Sequence, residues 1–512
     1  MIQDVIYAAT IVAAAAGAPR WLRIAQREHY IAGSVSRFAI RWWVSSNLNK
    51  TLGTVLVLAL AVAWAGFWPG SLAVGVISLL GPLGLSYRGR SSKLAWTRRL
   101  RVLAIATACL MVLVAVLGTL VGALPAIGAT VAAAAPVLVD LALFATTPLE
   151  RRSANRFAQQ ATQRLTEVSP RIVAITGSYG KTTTKFYTAH LLREKYATLA
   201  SPASFNNRSG LSRAINERLT PGTEIFVAEM GTYGPGEIRA LCDWLTPEIS
   251  VITAIGPVHL ERMGSVDNIA RAKAEILEHA KVGVLNVDSP HLAEIARDFE
   301  RQGGKLIRCS ALDPTADVHV TAVHVTSDGD ELRISAYGEL LSAITLPNVF
   351  PTNLACAIGV ALAMDISASD IAARLATLPA TEHRQAVLRA ANDVILIDDT
   401  YNSNPAGAAQ ALATLASLAA DQRRVVVTPG MVELGREQFS ANEQFARLAG
   451  TTATDILIVG RTNRRALLRG AKTGTAKIQL CADRSDAVAW VRRNLVSGDA
   501  VLYENDLPDH YP

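Results

Sequence analysis

The residues with the clearest chemical signature lie in the stretch "ITGSYGKTTTK", residues 175–185. It places two glycines, a lysine and three threonines between the apolar run "RIVAIT" and the amphipathic run "KTTTKFYTAHLLREKY". A glycine turn from strand to helix presents backbone N–H groups and the positive helix end to phosphate. In longer loops of this kind the lysine reaches the outer phosphates and the threonine hydroxyl ligates Mg²⁺. The stretch therefore predicts an ATP and Mg²⁺ site formed by Gly177, Ser178, Tyr179, Gly180, Lys181, Thr182 and Thr183. An ordinary glycine-rich turn is the alternative, and the Lys-Thr-Thr-Thr run after the second glycine argues against it.

The elements that position this loop alternate between short β-rich runs and helical runs from residue 171 onward. Such alternation indicates an α/β fold with a parallel sheet and crossover helices. Residues 316–347 alternate with period two instead, which predicts a small antiparallel insert. A second alternating block begins near residue 384. We therefore expect a central P-loop parallel-sheet domain at 151–380 and a C-terminal Rossmann-like domain at 381–512.

The first 150 residues have a different character. Residues 51–87 and 102–139 contain no charged side chain, and each run is long enough for a hairpin of two membrane spans. With a weaker span at residues 1–17, this predicts a transmembrane region of about five α-helices at 1–150. A cleavable signal peptide is the alternative for residues 1–17, but Asp4 precedes the apolar run and Arg20 follows it, the reverse of the usual order. Asp140 is an intramembrane acid, hence either a functional candidate or a residue paired with a neighbouring basic loop.

The charges between these runs predict the orientation. Residues 18–50 carry six Arg/Lys and one Glu, and residues 87–101 carry six Arg/Lys and no acid. Basic loops stay in the cytoplasm, which predicts a multi-pass protein of the inner membrane with cytoplasmic catalytic domains. Fifteen basic residues flank the apolar runs, where anionic lipid attracts them, so the net charge of +7 does not indicate a nucleic-acid partner. The five cysteines show no metal-binding spacing.

Five motifs together resemble the Mur ligase family of ATP-dependent amide-forming enzymes, and in particular its MurF type. The short loop resembles the family pattern Gly-x-x-Gly-Lys-[Thr/Ser]-[Thr/Ser]. Four further stretches are similar to successive motifs of the MurF type: "FNNRSGLSRAI", "VAEMGTYGPGEI", "ITAIGPVHLERMGSVDNIARAKAEI" and "IDDTYNSNPAGAAQAL". The resemblance covers residues 171–470 and implies a ligase that forms an acyl phosphate with ATP, which an amine then attacks.

The resemblance also assigns roles to individual residues. It implies Glu229 and His259 as metal ligands beside Thr182, and Lys273 as a catalytic lysine that can be carbamylated. A solvated carboxylate, a structural histidine and a surface lysine are the respective alternatives. Further ATP contacts are implied for four residues of the later motifs, namely Asn353, Arg384, Asp399 and Asn402. Three residues are implied on the substrate side of the cleft, namely Thr184, Asn206 and Asn207.

Three departures from the family pattern bear on the substrate. Only about 20 residues separate the apolar region from the first strand, so the family's UDP-sugar-binding domain has no counterpart there. The family's Gly-Asp-Met-x-Glu-Leu-Gly becomes "TPGMVELG", in which Pro429-Gly430 stands at the acid. The chain ends "YENDLPDHYP", where the family has a glycine and basic residues.

These patterns favour a membrane-anchored ligase that joins a carboxylate-bearing cell-envelope precursor to an amino-acid or dipeptide amine. The main alternative within the class is a poly-γ-glutamate-type polymerising ligase, against which "DDTYNSNP" argues. An ATP-driven transporter is the alternative from another class, but it leaves Glu229, His259 and Lys273 unexplained. An inactive scaffold is a third alternative, against which the intact Lys181 and Thr182 argue.

Overall fold

A computed structural model of the chain describes residues 2–85, 87, 94–120, 122–258, 260–326, 329–346, 349–379, 386–400, 403–419 and 421–507. The chain divides into two compact units, the first covering residues up to Asn155 and the second covering Arg156–Asp506. Each unit has its own apolar core.

The first unit is helical. Its helices are α1 Ile2–Arg27, α2 Ser34–Trp43, α3 Asn47–Trp64, α4 Trp68–Leu80, α5 Arg98–Thr119, α6 Leu124–Ala133 and α7 Ala135–Val168, the last of which continues into the second unit. Three of them, α1, α3 and α5, are long and apolar enough to cross a membrane, and the bent pair α6 and α7 makes up to four. The sequence predicted five spans. Helix α4 has 13 residues, fewer than the ~20 that a span needs. The prediction counted it as a span because an uncharged run of sequence does not show where a helix ends.

Asp140 lies in α7 and caps another helix. Its carboxylate accepts hydrogen bonds from the backbone N–H groups of Gly33 at 2.9 Å and Ser36 at 2.7 Å, at the start of α2. The hydroxyl of Ser36 donates to the same carboxylate. A negative charge at a helix N-terminus is stabilising. Gly33 and Ser36 belong to the basic stretch 18–50, so Asp140 does pair with that stretch, through backbone amides and the Ser36 hydroxyl.

The central domain is built on a nine-stranded sheet in the order β2-β3-β1-β4-β5-β6-β7-β8-β9. Its strands are β1 Arg171–Thr176, β2 Thr198–Ala200, β3 Ile225–Glu229, β4 Ile249–Ile252, β5 Val282–Asn286, β6 Lys305–Ser310, β7 Val318–Thr326, β8 Gly329–Ala336 and β9 Glu339–Leu346. The helices are α8 Lys181–Leu192, α9 Arg208–Arg218, α10 Glu237–Leu245, α11 Leu260–Met263, α12 Val266–Ala274, α13 Pro290–Arg301, α14 Pro351–Ala363 and α15 Ala368–Leu375. Strands β7, β8 and β9 pair antiparallel, which confirms the predicted insert.

The C-terminal domain has a six-stranded sheet in the order β10-β11-β15-β12-β13-β14, parallel except for β10. Its strands are β10 Ala386–Arg389, β11 Ile395–Asp399, β12 Arg424–Thr428, β13 Asp455–Val459, β14 Lys477–Cys481 and β15 Ala500–Glu504. The helices are α16 Pro405–Leu418, α17 Gln438–Thr452, α18 Arg464–Ala471 and α19 Arg484–Asn494. The two sheets lie on either side of the predicted boundary at residue 380, which itself falls outside the described residues.

Candidate active site

The phosphate loop joins β1, in the middle of the parallel part of the sheet, to the N-terminus of α8. Gly180 caps that helix with φ +78°. A side chain at this position would be strained, and its Cβ would collide with the amide of Asn353. Asn353 is buried and contacts the loop, so the structure places this expected ATP contact at the glycine turn. Its assignment to the nucleotide stays a prediction.

The phosphate loop is hydrogen-bonded to the segment that follows β4. The Ser178 hydroxyl donates to the carbonyl of Gly256 and accepts from its N–H, both at 3.0 Å, while the Ser178 N–H donates to Ala254 O at 2.8 Å. The ring of Tyr179 lies against Gly256, so closely that a Cβ there would overlap it. The side chains of Ser178 and Tyr179 therefore hold the shape of the loop.

Lys181 folds back over the loop. Its Nζ donates to the carbonyl of Gly177 at 2.7 Å and lies 3.4 Å from that of Ser178. An ammonium group held by neutral carbonyls can move to a phosphate with little loss of hydrogen bonding. The location agrees with the predicted role of Lys181 and keeps its charge at the mouth of the loop.

Glu229 ends β3 and forms the centre of a buried polar cluster. Its Oε2 accepts from the Thr182 hydroxyl and from the Lys185 Nζ, both at 3.0 Å, and its Oε1 accepts from the Asn206 amide at 3.2 Å. The ammonium of Lys185 also donates to the carbonyl of Ala203. The side chains of Lys185 and Glu229 are 0% and 1% exposed, so this ion pair is shielded from solvent. The cluster thus joins α8, β3 and the segment before α9.

The surroundings of Glu229 keep it ionised. Burial alone would raise its pKa, but the positive charges of Lys185 and Lys181 outweigh burial and hold the pKa below its ordinary value. The hydrogen bonds from Lys185 and Asn206 act in the same direction. An ionised carboxylate beside the Thr182 hydroxyl provides the oxygen ligands that Mg²⁺ prefers, with phosphate oxygens completing the shell. These residues fit the predicted metal site.

Lys273 lies near the end of α12 and is buried, with 5% of its surface exposed. It lines a small pocket together with Gly177, Lys181, Asn206 and Thr232. Burial and then the charge of Lys181 lower the pKa of Lys273 well below its ordinary value. A surface position is therefore excluded for Lys273, and its burial favours the uncharged form of the amine.

Three threonines follow Lys181 in the first turn of α8, and the helix directs their side chains to different sides. Thr183 and Thr184 are buried at 2% and 0% exposure, whereas only Thr182 contacts Glu229. The fully buried Thr184 does not face a substrate cleft, so its expected place on the substrate side is not supported. Asn207 is exposed and caps α9, its side chain accepting from Gly210 N at 2.9 Å. Asn206 reaches the site through Glu229.

The structure describes only some of the residues that were predicted to contact ATP from the C-terminal part of the chain. Asp399 ends β11 and pairs in register with Glu504, the last residue of β15. Three residues of the predicted site, His259, Arg384 and Asn402, lie outside the described residues. The structure brings together Thr182, Lys181, Glu229, Asn206 and Lys273.

Sequence reasoning missed Lys185 and Glu504. Lys185 follows Lys181 by four residues and Thr182 by three, a helical spacing that could have placed it on the same face. Glu504 gave no local signal, since its hydrogen-bond partners are Ser403 and Thr428.

Gly430 occupies the position where the family pattern has an acid. Its φ is +77°, and a Cβ would collide with the side chains of Asn442 and Asn463. Asn463 donates to the carbonyls of Pro429 and Met431, each at 3.0 Å. The side-chain amides of Asn442 and Asn463 therefore occupy the space beside Gly430.

Comparison with known proteins agrees with this geometry. Residues 175–361 match the Mur ligase middle domain, and residues 383–503 match the Mur ligase, glutamate ligase domain. The UDP-N-acetylmuramoyl-tripeptide–D-alanyl-D-alanine ligase of Mycobacterium tuberculosis strain H37Rv is 32% identical over 367 residues, which cover 65% of this chain and 69% of that protein. The ligase of the same name from Escherichia coli K12 is 32% identical over 303 residues, 58% of this chain and 66% of that protein.

Solved structures give the same result. MurF from Acinetobacter baumannii superposes with a TM-score of 0.60 at 25% identity, covering 69% of this chain and 77% of that one. MurF from Thermotoga maritima, solved in complex with ADP, superposes with a TM-score of 0.60 at 23% identity. The match covers 69% of this chain and 80% of that one, and it shows a shared fold.

The chain belongs to the Mur ligase family, and it is therefore an ATP-dependent, ADP-forming ligase. Within the family, the two relatives and the Acinetobacter structure named above are of the MurF type, which confirms the resemblance found in the sequence motifs.

Proposed function

We propose that this protein is a membrane-anchored MurF-type ligase that activates a carboxylate of a cell-envelope peptide precursor and joins it to the amine of an amino acid or dipeptide. The relatives are named for a UDP-muramoyl tripeptide and D-alanyl-D-alanine, which gives the substrate class. The observation that carries the proposal is the buried Glu229 carboxylate, hydrogen-bonded to Thr182 at the phosphate loop.

The chemistry needs two displacements. An oxygen of the acceptor carboxylate attacks the γ-phosphorus of ATP, the bond to the β–γ bridging oxygen breaks, and ADP leaves. The amine then attacks the acyl carbon, phosphate leaves with the C–O electron pair, and the nitrogen loses a proton. Phosphoryl transfer depends mostly on positioning and on neutralising negative charge. Magnesium bound to the phosphates supplies part of that neutralisation.

The residues of this chain have distinct parts in that process. Lys181 exchanges its bonds to the loop carbonyls for the outer phosphates, and the loop amides orient them. Thr182 and Glu229 would hold the Mg²⁺, while Lys185 keeps the Glu229 carboxylate ionised and oriented. Lys273, in its carbamylated form, would add a negative group near the reacting carboxylate.

The membrane location is supported by the first unit. Helices α1, α3 and α5 have the length and composition of spans, and the short helix α2, with Arg37 and Arg41, connects α1 to α3 as a basic segment of the kind that stays in the cytoplasm.

The test is ADP release by the purified full-length protein in lipid nanodiscs, with a panel of peptide-bearing acceptors and amines and mass spectrometry of the products. We expect ADP release that requires both acceptor and amine and yields an amide of the summed mass less water. ADP release at the same rate without any amine, with no new amide when amines are present, would refute the proposal.

A further inference from the structure

Glu504 occupies the centre of the C-terminal sheet's carboxyl edge. It is the last residue of β15, which lies between β11 and β12, and its side chain is 0% exposed. In the parallel register with β11 it stands directly opposite Asp399, so the two carboxyl side chains are on the same face. Asp399 is the residue proposed above to contact the nucleotide.

Hydrogen bonds from Glu504 connect three segments at this edge. The Ser403 hydroxyl donates to Oε1, and the Thr428 hydroxyl donates to Oε2 at 3.1 Å. Thr428 in turn accepts from the N–H of Gly430 at 2.9 Å. Glu504 thus joins the segment that follows Asp399 to the segment that follows β12.

The charges around Glu504 favour its neutral form. Within the described part of the chain, both hydrogen bonds to its carboxyl group come from neutral hydroxyls, and no lysine or arginine forms an ion pair with it. Helix α16, which packs on this strand, carries no titratable side chain, and the Asp398 carboxylate is turned to Thr400. Burial, together with the charge of Asp399 and against the hydrogen bond from Ser403, raises the pKa of Glu504 to about 7.

We propose that Glu504 is a positioning residue for the nucleotide: its hydrogen bonds from Ser403 and Thr428 hold the segment after Asp399 against β12, and a second negative charge on Glu504 beside Asp399 weakens ATP binding. This inference rests on the proposed nucleotide contact of Asp399. A buried pair of like charges is unfavourable, and the polyphosphate of ATP adds to the same repulsion.

The experiment compares the pH dependence of KM for ATP in wild type and in Glu504→Gln, using ADP release by the full-length protein. Glutamine keeps the size and the hydrogen-bonding capacity but does not titrate. We expect the KM for ATP of the wild type to rise about threefold to tenfold between pH 6 and pH 8.5. The KM of Glu504→Gln should show only those pH effects that both proteins share. Ionisation of ATP is common to both profiles and cancels in their ratio.

Asp506→Asn is the matched control, because Asp506 lies two residues away but pairs with Arg484 and is partly exposed. Its profile should follow the wild type. An equal rise of KM in Glu504→Gln, or a pH effect confined to kcat, would overturn the proposal, while ADP release at pH 6 in wild type separately establishes the ligase activity.

A second variant covers the case in which Glu504→Gln does not fold. Ser403→Ala removes one hydrogen bond to the ionised carboxylate, so the midpoint of the KM profile should move to higher pH. A midpoint that stays in place in Ser403→Ala would also overturn the proposal.

Discussion

The Nζ atom of Lys185 donates to Oε2 of Glu229 at 3.0 Å, and both side chains are shielded from solvent. The same oxygen accepts from Thr182, whereas Oε1 has one hydrogen bond among the described residues, from Asn206, and is the oxygen open to a further ligand. The buried lysine therefore sets both the charge and the orientation of the expected metal-binding carboxylate.

Lys185→Met should destabilise the protein by about 3–5 kcal/mol, because it leaves a buried carboxylate without a counter-ion. The double variant Lys185→Met/Glu229→Gln should recover part of this loss, since no uncompensated charge remains. Urea denaturation of a chain beginning at Arg156 measures both. Arg213→Ala is the control: it breaks an exposed pair with Glu217 and should cost less than about 1 kcal/mol. Equal losses for Arg213→Ala and Lys185→Met would contradict this account.

The site shows how far sequence reasoning reaches. The loop and Glu229 were predictable because both lie at the carboxyl ends of recognisable strands, where ligands bind in α/β sheets. The burial of Thr184 was not predictable, because three consecutive threonines look alike in sequence, whereas a helix turns each to a different face. The partners of Asp140, more than 100 residues away, and the hydroxyls around Glu504 come from distant segments that no local pattern reveals.

Lys181→Ala should lower the rate of ADP formation by about 100-fold or more, the usual effect of losing one group that stabilises charge in the transition state. The fold should persist, because Lys181 is at the first position of α8 and its ammonium bonds to carbonyls of the loop rather than to the apolar core. A coupled assay for ADP measures the rate. Lys195→Ala, in the exposed turn after α8, serves as the control. Turnover unchanged by Lys181→Ala would remove the phosphate site from this loop.

Lys273 should carry a carbamate. Because its pKa is well below the ordinary value, the neutral amine can add to CO₂ and release a proton. Protein equilibrated with ¹³C-bicarbonate should show a carbamate carbon signal by NMR that is missing in Lys273→Met, and CO₂-free buffer should slow ADP formation. Lys281→Met is the control, since Lys281 is 76% exposed. An identical spectrum for Lys273→Met, with no effect of CO₂ removal, would rule out the modification.

Glu504 should make the protein less stable as pH rises. Below pH 4.5 its carboxyl is protonated in both the folded and the unfolded chain, and it has no effect. Between 4.5 and about 7 the unfolded chain releases the proton and the folded chain keeps it, so stability falls until the pH passes about 7. Glu504→Gln should therefore gain about 2.5 kcal/mol on wild type between pH 5 and pH 8. Urea denaturation at both pH values checks this, and a constant difference would contradict it.

The second unit should be separable from the membrane. Ala161 and Leu165 of α7 pack against the central-domain core, so a chain beginning at Arg156 keeps them and omits α1 to α6. We expect this chain to remain soluble and to bind ATP, as measured by calorimetry, while the full-length protein sediments with membrane vesicles. Absence of ATP binding in a folded chain would show that the spans belong to the catalytic fold.

Gly430 limits what protein engineering can install at this position. Its left-handed backbone and the side chains of Asn442 and Asn463 leave no volume for a carboxyl group. An aspartate placed here would displace two asparagines that donate to the carbonyls of Pro429 and Met431. Introducing the acid of the family pattern would therefore require compensating substitutions at both asparagines.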